Sequence, residues 1–149
     1  MSEKLPKIAL GTDHAGFLYK EFLKDKLQAC GHEIQDFGTY SEDSVDYPDH
    51  IKPAARAVAD GTCDLGIVLG GSGNGEAMAA NKVTGIRCAL CWDESTGRLA
   101  KEHNDANMLS LGQRQITKMK AWEIVVAWLE GKFEGGRHQR RIDLIETAW

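Results

Sequence analysis

Residues 65–82 read LGIVLGGSGNGEAMAANK, an apolar run followed by clustered glycines and then by a helical pattern. The run Leu65–Leu69 has the length and the β-branched residues of a buried strand. The glycine turn Gly70–Gly75 follows, and the spacing predicts a helix over Glu76–Val83. A strand that passes through a tight turn directly into a helix is the building unit of parallel sheets, so this segment predicts an α/β protein.

The same alternation of strand and helix continues on both sides of this segment. Further strands are predicted at Lys7–Gly11, Glu33–Phe37, Arg87–Trp92 and Met108–Leu111, and helices at Phe17–Cys30, Pro48–Asp60, Glu94–Glu102, Lys118–Leu129 and Arg137–Thr147. Pro53 should kink its helix or mark a late start. The pattern predicts a three-layer, Rossmann-like sandwich with a five-stranded, mostly parallel sheet and helices on both faces. A chain of 149 residues is expected to form one domain, 1–149.

Composition argues against several classes of protein. No apolar run approaches the roughly 18 residues that cross a bilayer. The N-terminal MSEKLPK has no apolar stretch after its lysines, which argues against a secretory signal, and the four cysteines are therefore expected to be reduced thiols in the cytoplasm. Cys88 and Cys91 lie three apart on a predicted strand, so they point to opposite faces and are expected neither to chelate a metal nor to pair easily.

The net charge of −4 argues against a nucleic-acid binder but conceals a basic segment. Residues 112–141 contain seven Lys or Arg and three Asp or Glu, a local charge of +4. A basic patch at one end of an acidic chain suits a small anion better than a polymer. A solvated basic helix is the alternative interpretation.

Ligands of parallel α/β sheets bind beyond the carboxyl ends of the strands. In this chain three segments are predicted to lie there, namely Thr12–His14, Gly70–Glu76 and Trp92–Asp93. The glycine turn allows successive backbone N–H groups to converge on an anion at a helix N-terminus. Neither the G-x-G-x-x-G nor the G-x-x-x-x-G-K-[ST] pattern fits it, which disfavours a dinucleotide or nucleoside triphosphate.

Glu76 changes the interpretation of this turn. A carboxylate beside the amide groups would repel a permanently bound phosphate. It suits a turn that stabilises a transient oxyanion while the carboxylate moves a proton, as in proton abstraction next to a carbonyl through an enediolate. A glutamate that only favours the helix start through the macrodipole is the alternative.

Other candidate residues also have ordinary structural interpretations. Asp13 could hold a sugar hydroxyl and His14 an anion, or the pair could form an Asx turn. His103 is either an acid/base group or a cation at a helix C-terminus. Arg137 and Arg141 share a helix face, and with Arg114 on a loop they could grip a phosphate monoester.

Several longer motifs, taken together, resemble one family. They are GTDHAGF (Gly11–Phe17), DYP (Asp46–Pro48), GGSGNGE with AANK (Gly70–Lys82), EHND (Glu102–Asp105), LGQR (Leu111–Arg114) and GGRHQRRI (Gly135–Ile142). In this order, nearly end to end, the chain resembles ribose-5-phosphate isomerase type B, in the family that also contains galactose-6-phosphate isomerase subunits.

The resemblance implies a role for each matching residue. Glu76 would be the base that moves a proton between C1 and C2, and Ser72 would move one between O1 and O2. His103 would open the furanose ring, and Asp13 and Asn104 would hold sugar oxygens. The enediolate hole would consist of Gly71, Ser72, Gly73, Asn74 and Gly75. The phosphate grip would consist of His14, Arg114, Arg137 and Arg141, and Tyr47 would line the pocket.

The resemblance further implies a homodimer or a tetramer whose sites combine residues of two subunits, with the C-terminal helix at about 137–147 packing on or reaching into the partner. It implies D-ribose 5-phosphate as substrate, in the pentose phosphate pathway. No metal, organic cofactor, nucleic acid or membrane partner is expected. One branch of the family uses a cysteine base where this chain has Gly70, so the chain is expected in the glutamate-base branch.

Two alternatives remain at this stage. The same chemistry could act on allose 6-phosphate, galactose 6-phosphate or a tetrulose 4-phosphate. A non-catalytic nucleotide-binding module is more remote, because such a module has no use for Glu76, Asp13 and His103 together.

Overall fold

The computed structural model describes residues 4–147, which are built around a five-stranded sheet. The strands are β1 (Ile8–Thr12), β2 (Ile34–Asp36), β3 (Leu65–Gly70), β4 (Cys88–Leu90) and β5 (Met108–Gly112). Their order is β2-β1-β3-β5-β4, and every neighbouring pair is parallel. The predicted sheet is therefore confirmed, and it is parallel throughout.

Helices cover both faces of this sheet. They are α1 (Phe17–Ala29), α2 (Pro48–Ala59), α3 (Asn74–Asn81), α4 (Glu94–Glu102), α5 (Lys118–Glu130) and α6 (Arg137–Glu146). Helices α1, α4 and α5 pack on one face, and α2 and α3 pack on the other. The predicted three-layer α/β sandwich is confirmed. Within residues 4–147, no helix is both long and apolar enough to cross a membrane.

Successive residues of the central strands serve the two faces alternately. In β3, Ile67 and Leu69 pack with α1, α4 and α5, whereas Val68 packs with α2 and α3. A strand that is buried on both sides reads as a continuous apolar run, which explains the LGIVL pattern. Cys88 and Cys91 follow the same rule: they pack on opposite faces of the sheet, and both are free thiols, as expected.

One helix start differs from the sequence prediction, and the structure decides between the two roles considered for Pro53 in another helix. Helix α3 begins at Asn74 rather than Glu76, because Gly73 adopts a left-handed conformation (φ +85°) that lets the chain turn into the helix early. Helix α2 begins at Pro48 and continues through Pro53 to Ala59, so Pro53 does not mark a late start. A proline at the first helical position costs no hydrogen bond, since that N–H has no partner within the helix.

Candidate active site

A cavity of about 430 Å³ opens beyond the carboxyl ends of β1 and β3, where the sequence predicts a ligand site. Its lining includes Asp13, His14, Tyr47, Gly71, Ser72, Gly75, Glu76 and Arg114. Eight of the predicted site residues therefore lie around one space. Its volume lies in the usual range for small-molecule sites.

The turn that enters α3 is held by the end of β5. The carbonyls of Gly70 and Gly71 accept hydrogen bonds from the backbone N–H groups of Gln113 (2.8 Å) and Arg114 (3.0 Å). The buried Ser110 hydroxyl donates to the Gly73 carbonyl at 2.7 Å. These carbonyls are thus held by the end of β5, which fixes the turn at the start of α3, while the Asn74 N–H donates to the Ser72 hydroxyl oxygen at 3.2 Å.

Glu76 is the third residue of α3, not its first, and its side chain is only 4% exposed. A Cβ atom at position 70 would overlap the carboxyl group of Glu76, so only glycine at 70 leaves room for it. Burial raises the pKa of Glu76, and the nearby charge of Asp13 raises it further, against the opposing effect of backbone N–H groups. A carboxylate with a raised pKa is a stronger base, as proton abstraction from carbon requires.

One carboxylate oxygen of Asp13 has a structural role, since it holds the turn that follows β1. This oxygen, Oδ1, accepts hydrogen bonds from the N–H groups of Ala15 (2.9 Å) and Gly16 (3.2 Å), which caps a short 3-10 turn. The Asx-turn interpretation is therefore correct for this oxygen. Within residues 4–147 the other oxygen, Oδ2, accepts no hydrogen bond, so Asp13 combines a fixed position with a free acceptor.

Three further side chains close around the cavity. His14 Nδ1 accepts a hydrogen bond from the Val45 N–H at 3.2 Å, which leaves Nε2 to carry the proton of the neutral ring. The Tyr47 ring lies so close to Gly75 that a Cβ there would stand 2.6 Å from its Cζ. A Cβ at Gly71 would likewise stand 2.9 Å from Nη1 of Arg114. The glycines of the turn therefore admit the side chains that line the cavity as well as an anion.

Of the other predicted site residues, Gly73 and Asn74 belong to the same turn. The last four, His103, Asn104, Arg137 and Arg141, lie at the opposite edge of the sheet, where the strands begin. His103 ends α4 and Asn104 follows it, before β5 begins. The segment leading to α6 is tied to the same edge, because the Glu134 N–H donates to the Glu102 carbonyl at 3.0 Å. The strands are parallel, so about 15 Å of strand separates this edge from the Glu76 cavity. Within one chain Arg137 and Arg141 therefore do not lie next to Arg114.

Glu134 and His138 also lie at this second edge, and the sequence alone predicts no role for either of them. The ring of His138 stacks on that of His103, with centroids 4.3 Å apart and planes 12° apart. Within the described residues, His103, Glu134 and His138 form a group of possible metal ligands, their ligand atoms all within 4.8 Å of one another. Glu134 lies before α6, and two glycines with positive φ separate it from His138, so no helical spacing in the sequence indicates this pair.

Replacing Asp13 by asparagine is expected to lower the pKa of Glu76. The asparagine oxygen still caps the 3-10 turn, whereas the negative charge that raises the pKa is gone. A pH titration of the side-chain carboxyl carbons by ¹³C NMR measures the midpoint directly. The control Asp25→Asn, at an exposed position, should leave the titration midpoint of Glu76 unchanged. An unchanged or higher midpoint in Asp13→Asn would show that the charge of Asp13 does not raise the pKa of Glu76.

A buried carboxylate beside an amide-lined turn, in the crevice of a parallel sheet, defines an enzyme that transfers protons on an anionic substrate. Residues 8–145 match the family model described as Ribose/Galactose Isomerase. The chain belongs to this family, which confirms the resemblance found in its sequence.

Curated relatives and solved structures agree with this assignment. The chain is 43% identical to ribose-5-phosphate isomerase B of Escherichia coli K12, covering 95% of both chains. It is 49% identical to that of Mycobacterium leprae, covering 93% of this chain and 87% of the other. The structure of Clostridium thermocellum ribose-5-phosphate isomerase B matches with a TM-score of 0.93 at 47% identity, covering 94% of this chain and 95% of that one. The Mycoplasma genitalium enzyme, solved with bound ribulose-5-phosphate, matches with a TM-score of 0.90 at 40% identity, covering 94% and 93%.

Proposed function

We propose that the protein is an aldose–ketose isomerase that interconverts D-ribose 5-phosphate and D-ribulose 5-phosphate, a reaction of pentose phosphate metabolism. The relatives named for this activity support the substrate. The observation that carries the chemistry is the buried Glu76 carboxylate, with a raised pKa, next to the glycine turn at the start of α3.

In this mechanism Glu76 takes the proton from C2 of the open-chain aldose. The C2–H electrons form the C1=C2 double bond, and the carbonyl electrons move to O1, whose negative charge the turn amides stabilise. Ser72 then helps to move a proton from O2 to O1. Glu76 returns its proton to C1 while the C2=O2 carbonyl forms, which gives the ketose and regenerates the base.

Ring opening comes before this step for a cyclic aldose. We assign the removal of the proton on O1 to the Asp13 carboxylate. As the C1=O1 double bond forms, the C1–O4 bond breaks and O4 takes a proton from His103.

His14, Arg114, Arg137 and Arg141 would hold the phosphate. Asn104 would hold a sugar oxygen, and Tyr47 would line the pocket.

These roles require two chains, since His103, Asn104 and the α6 arginines lie at the other edge of the sheet from Glu76. We therefore propose a homodimer of single-domain subunits, 1–149, in which α6 packs on the partner. A tetramer built from two such dimers is the alternative assembly. Leu144 and Ile145 of α6 are 66% and 62% exposed, and large exposed apolar side chains support burial against a second copy. The four free cysteines support a reducing, cytoplasmic location.

Mixed dimers test the shared site. Glu76→Gln and His103→Gln should each form inactive homodimers. A mixed dimer would keep one site with both native residues, so refolding the two variants together should recover about a quarter of the wild-type activity. Differently tagged chains allow the mixed dimer to be isolated. If it remains inactive although both chains are folded and paired, the two residues do not meet across subunits.

The substrate assignment is tested by comparing kcat/KM for ribose 5-phosphate with that for allose 6-phosphate, galactose 6-phosphate and a tetrulose 4-phosphate. Ribose 5-phosphate should have the highest value. A higher value for a six-carbon sugar would keep the chemistry and change the substrate. Thermal stabilisation by AMP or ATP, with no turnover of any sugar, would contradict the isomerase.

A further inference from the structure

Glu134 lies between the two stacked histidines at the second edge of the sheet. Its Oε1 is 3.3 Å from Nε2 of His138 and 3.8 Å from Nε2 of His103. The His138 side chain is only 8% exposed, and its Nε2 has no hydrogen-bond partner among the described residues. The carboxylate therefore lies within ion-pair distance of both rings without a hydrogen bond to His138 Nε2.

The backbone holds this cluster in place from both sides. The Glu134 N–H is bonded to the Glu102 carbonyl, and the His103 N–H to the Leu99 carbonyl at 2.9 Å. Gly135 and Gly136 have φ of +69° and +57°, a conformation that folds the chain back and lays His138 over His103. The stacked ring limits the plane of His103, and the carboxylate limits the direction of its Nε2.

The ring geometry favours a shared proton over a metal ion. An ion bound through an imidazole nitrogen lies in the plane of that ring, about 2.0 Å from the nitrogen. Two rings stacked at 4.3 Å with planes 12° apart cannot both hold one ion in their planes. A carboxylate oxygen at 3.3 and 3.8 Å from the two Nε2 atoms, by contrast, attracts a protonated ring by its charge without having to lie in both planes.

We propose that Glu134 is a positioning residue for His103: its carboxylate, 3.8 Å from Nε2, attracts that side of the ring and leaves Nδ1 to give a proton to the sugar ring oxygen in the partner's cavity. This inference rests on the proposed function. His103 Nδ1–H donates to O4 as the C1–O4 bond breaks, and the ring ends neutral with its remaining proton on Nε2, facing Glu134. Glu134 itself does not touch the sugar.

The test separates ring opening from proton transfer at carbon. Ribose 5-phosphate is cyclic, whereas ribulose 5-phosphate stays open because its C5 oxygen carries the phosphate. Exchange of the C1 hydrogen of ribulose 5-phosphate in D₂O, followed by NMR, therefore reports on Glu76 without ring opening. Glu134→Gln should lower kcat/KM for ribose 5-phosphate about tenfold and leave the exchange rate within about twofold of wild type.

Controls distinguish positioning from a structural role. Glu134→Asp, which keeps the charge, should recover part of the loss, and His103→Gln should show the same split between the two assays. Glu33→Gln removes a comparable surface contact, 3.7 Å from Lys7, and should change neither assay. Equal loss in both assays, no loss in either, or tight stoichiometric binding of Zn²⁺ to the wild-type cluster would overturn the proposal. A wild-type protein without exchange would instead refute the proposed function.

Discussion

Replacing Glu76 by glutamine is expected to lower kcat about 10³-fold while ribulose 5-phosphate still binds. Glutamine keeps the size of the side chain and fits the space beside Gly70, but it cannot accept the proton from carbon. Because the turn amides and the phosphate-binding residues are unchanged, KM should stay within a fewfold of wild type. The loss should therefore fall on kcat, as expected when an interaction of the transition state is removed.

Steady-state kinetics and ligand titration measure the two quantities, with the exposed Glu130→Gln as the matched control. Stability provides a further check with a definite sign. Burial raises the pKa of Glu76 above its value in the unfolded chain. Between these two pKa values the folded protein binds more protons than the unfolded chain, so the fold loses stability as the pH rises through that range. Glu76→Gln removes this loss and should unfold at higher urea than wild type at pH 8. Near-wild-type kcat in the folded variant would rule out Glu76 as the base.

Gly70→Ala is expected to lower kcat about 100-fold, although position 70 contributes no side chain to the chemistry. The new methyl group would overlap the Glu76 carboxyl, which must then leave its position next to the turn. The variant should still fold, since the carboxylate is the end of a flexible side chain and can move. Loss of activity with an intact fold is therefore the expected result.

The double variant Gly70→Ala with Glu76→Asp tests the cause. Aspartate is shorter by one methylene and leaves room for the new methyl group, so kcat of the double variant should exceed the value expected if the two losses simply added. Kinetics of the four proteins, with circular dichroism as the fold check, complete the cycle. Strict additivity, or a Gly70→Ala enzyme with native kcat, would show that the contact does not position the base.

Much of the fold and half of the site follow from local pattern. The apolar runs and their glycine turns predict the parallel sheet, and a parallel sheet collects Asp13 and Glu76 at one edge whatever the details of packing. The start of α3 was missed by two residues because the left-handed Gly73 lets the helix begin inside the apparent turn. Helix boundaries depend on single backbone angles, which residue periodicity does not encode.

The second half of the site depends on contacts that spacing cannot reveal. Arg137 and Arg141 share a helix face as predicted, yet α6 is held at the other edge by long-range contacts, among them the Glu134–Glu102 backbone hydrogen bond and the Arg87–Glu146 ion pair. The stack of His103 on His138 joins residues 35 positions apart and leaves no periodic trace. The resemblance supplied a role for His103, whereas only the geometry singles out Glu134.

The contact between Gly70 and Glu76 also bears on how such enzymes diverge. A thiol base at position 70 needs the Cβ that the Glu76 carboxyl excludes, so one chain cannot hold both bases in working positions. Acquiring the thiol first displaces the carboxylate, and losing the carboxylate first leaves no base at all. An exchange of the carboxylate base for the thiol base by single substitutions would therefore pass through an enzyme of weak activity. We expect the choice of base to be inherited by whole lineages rather than to vary among near relatives.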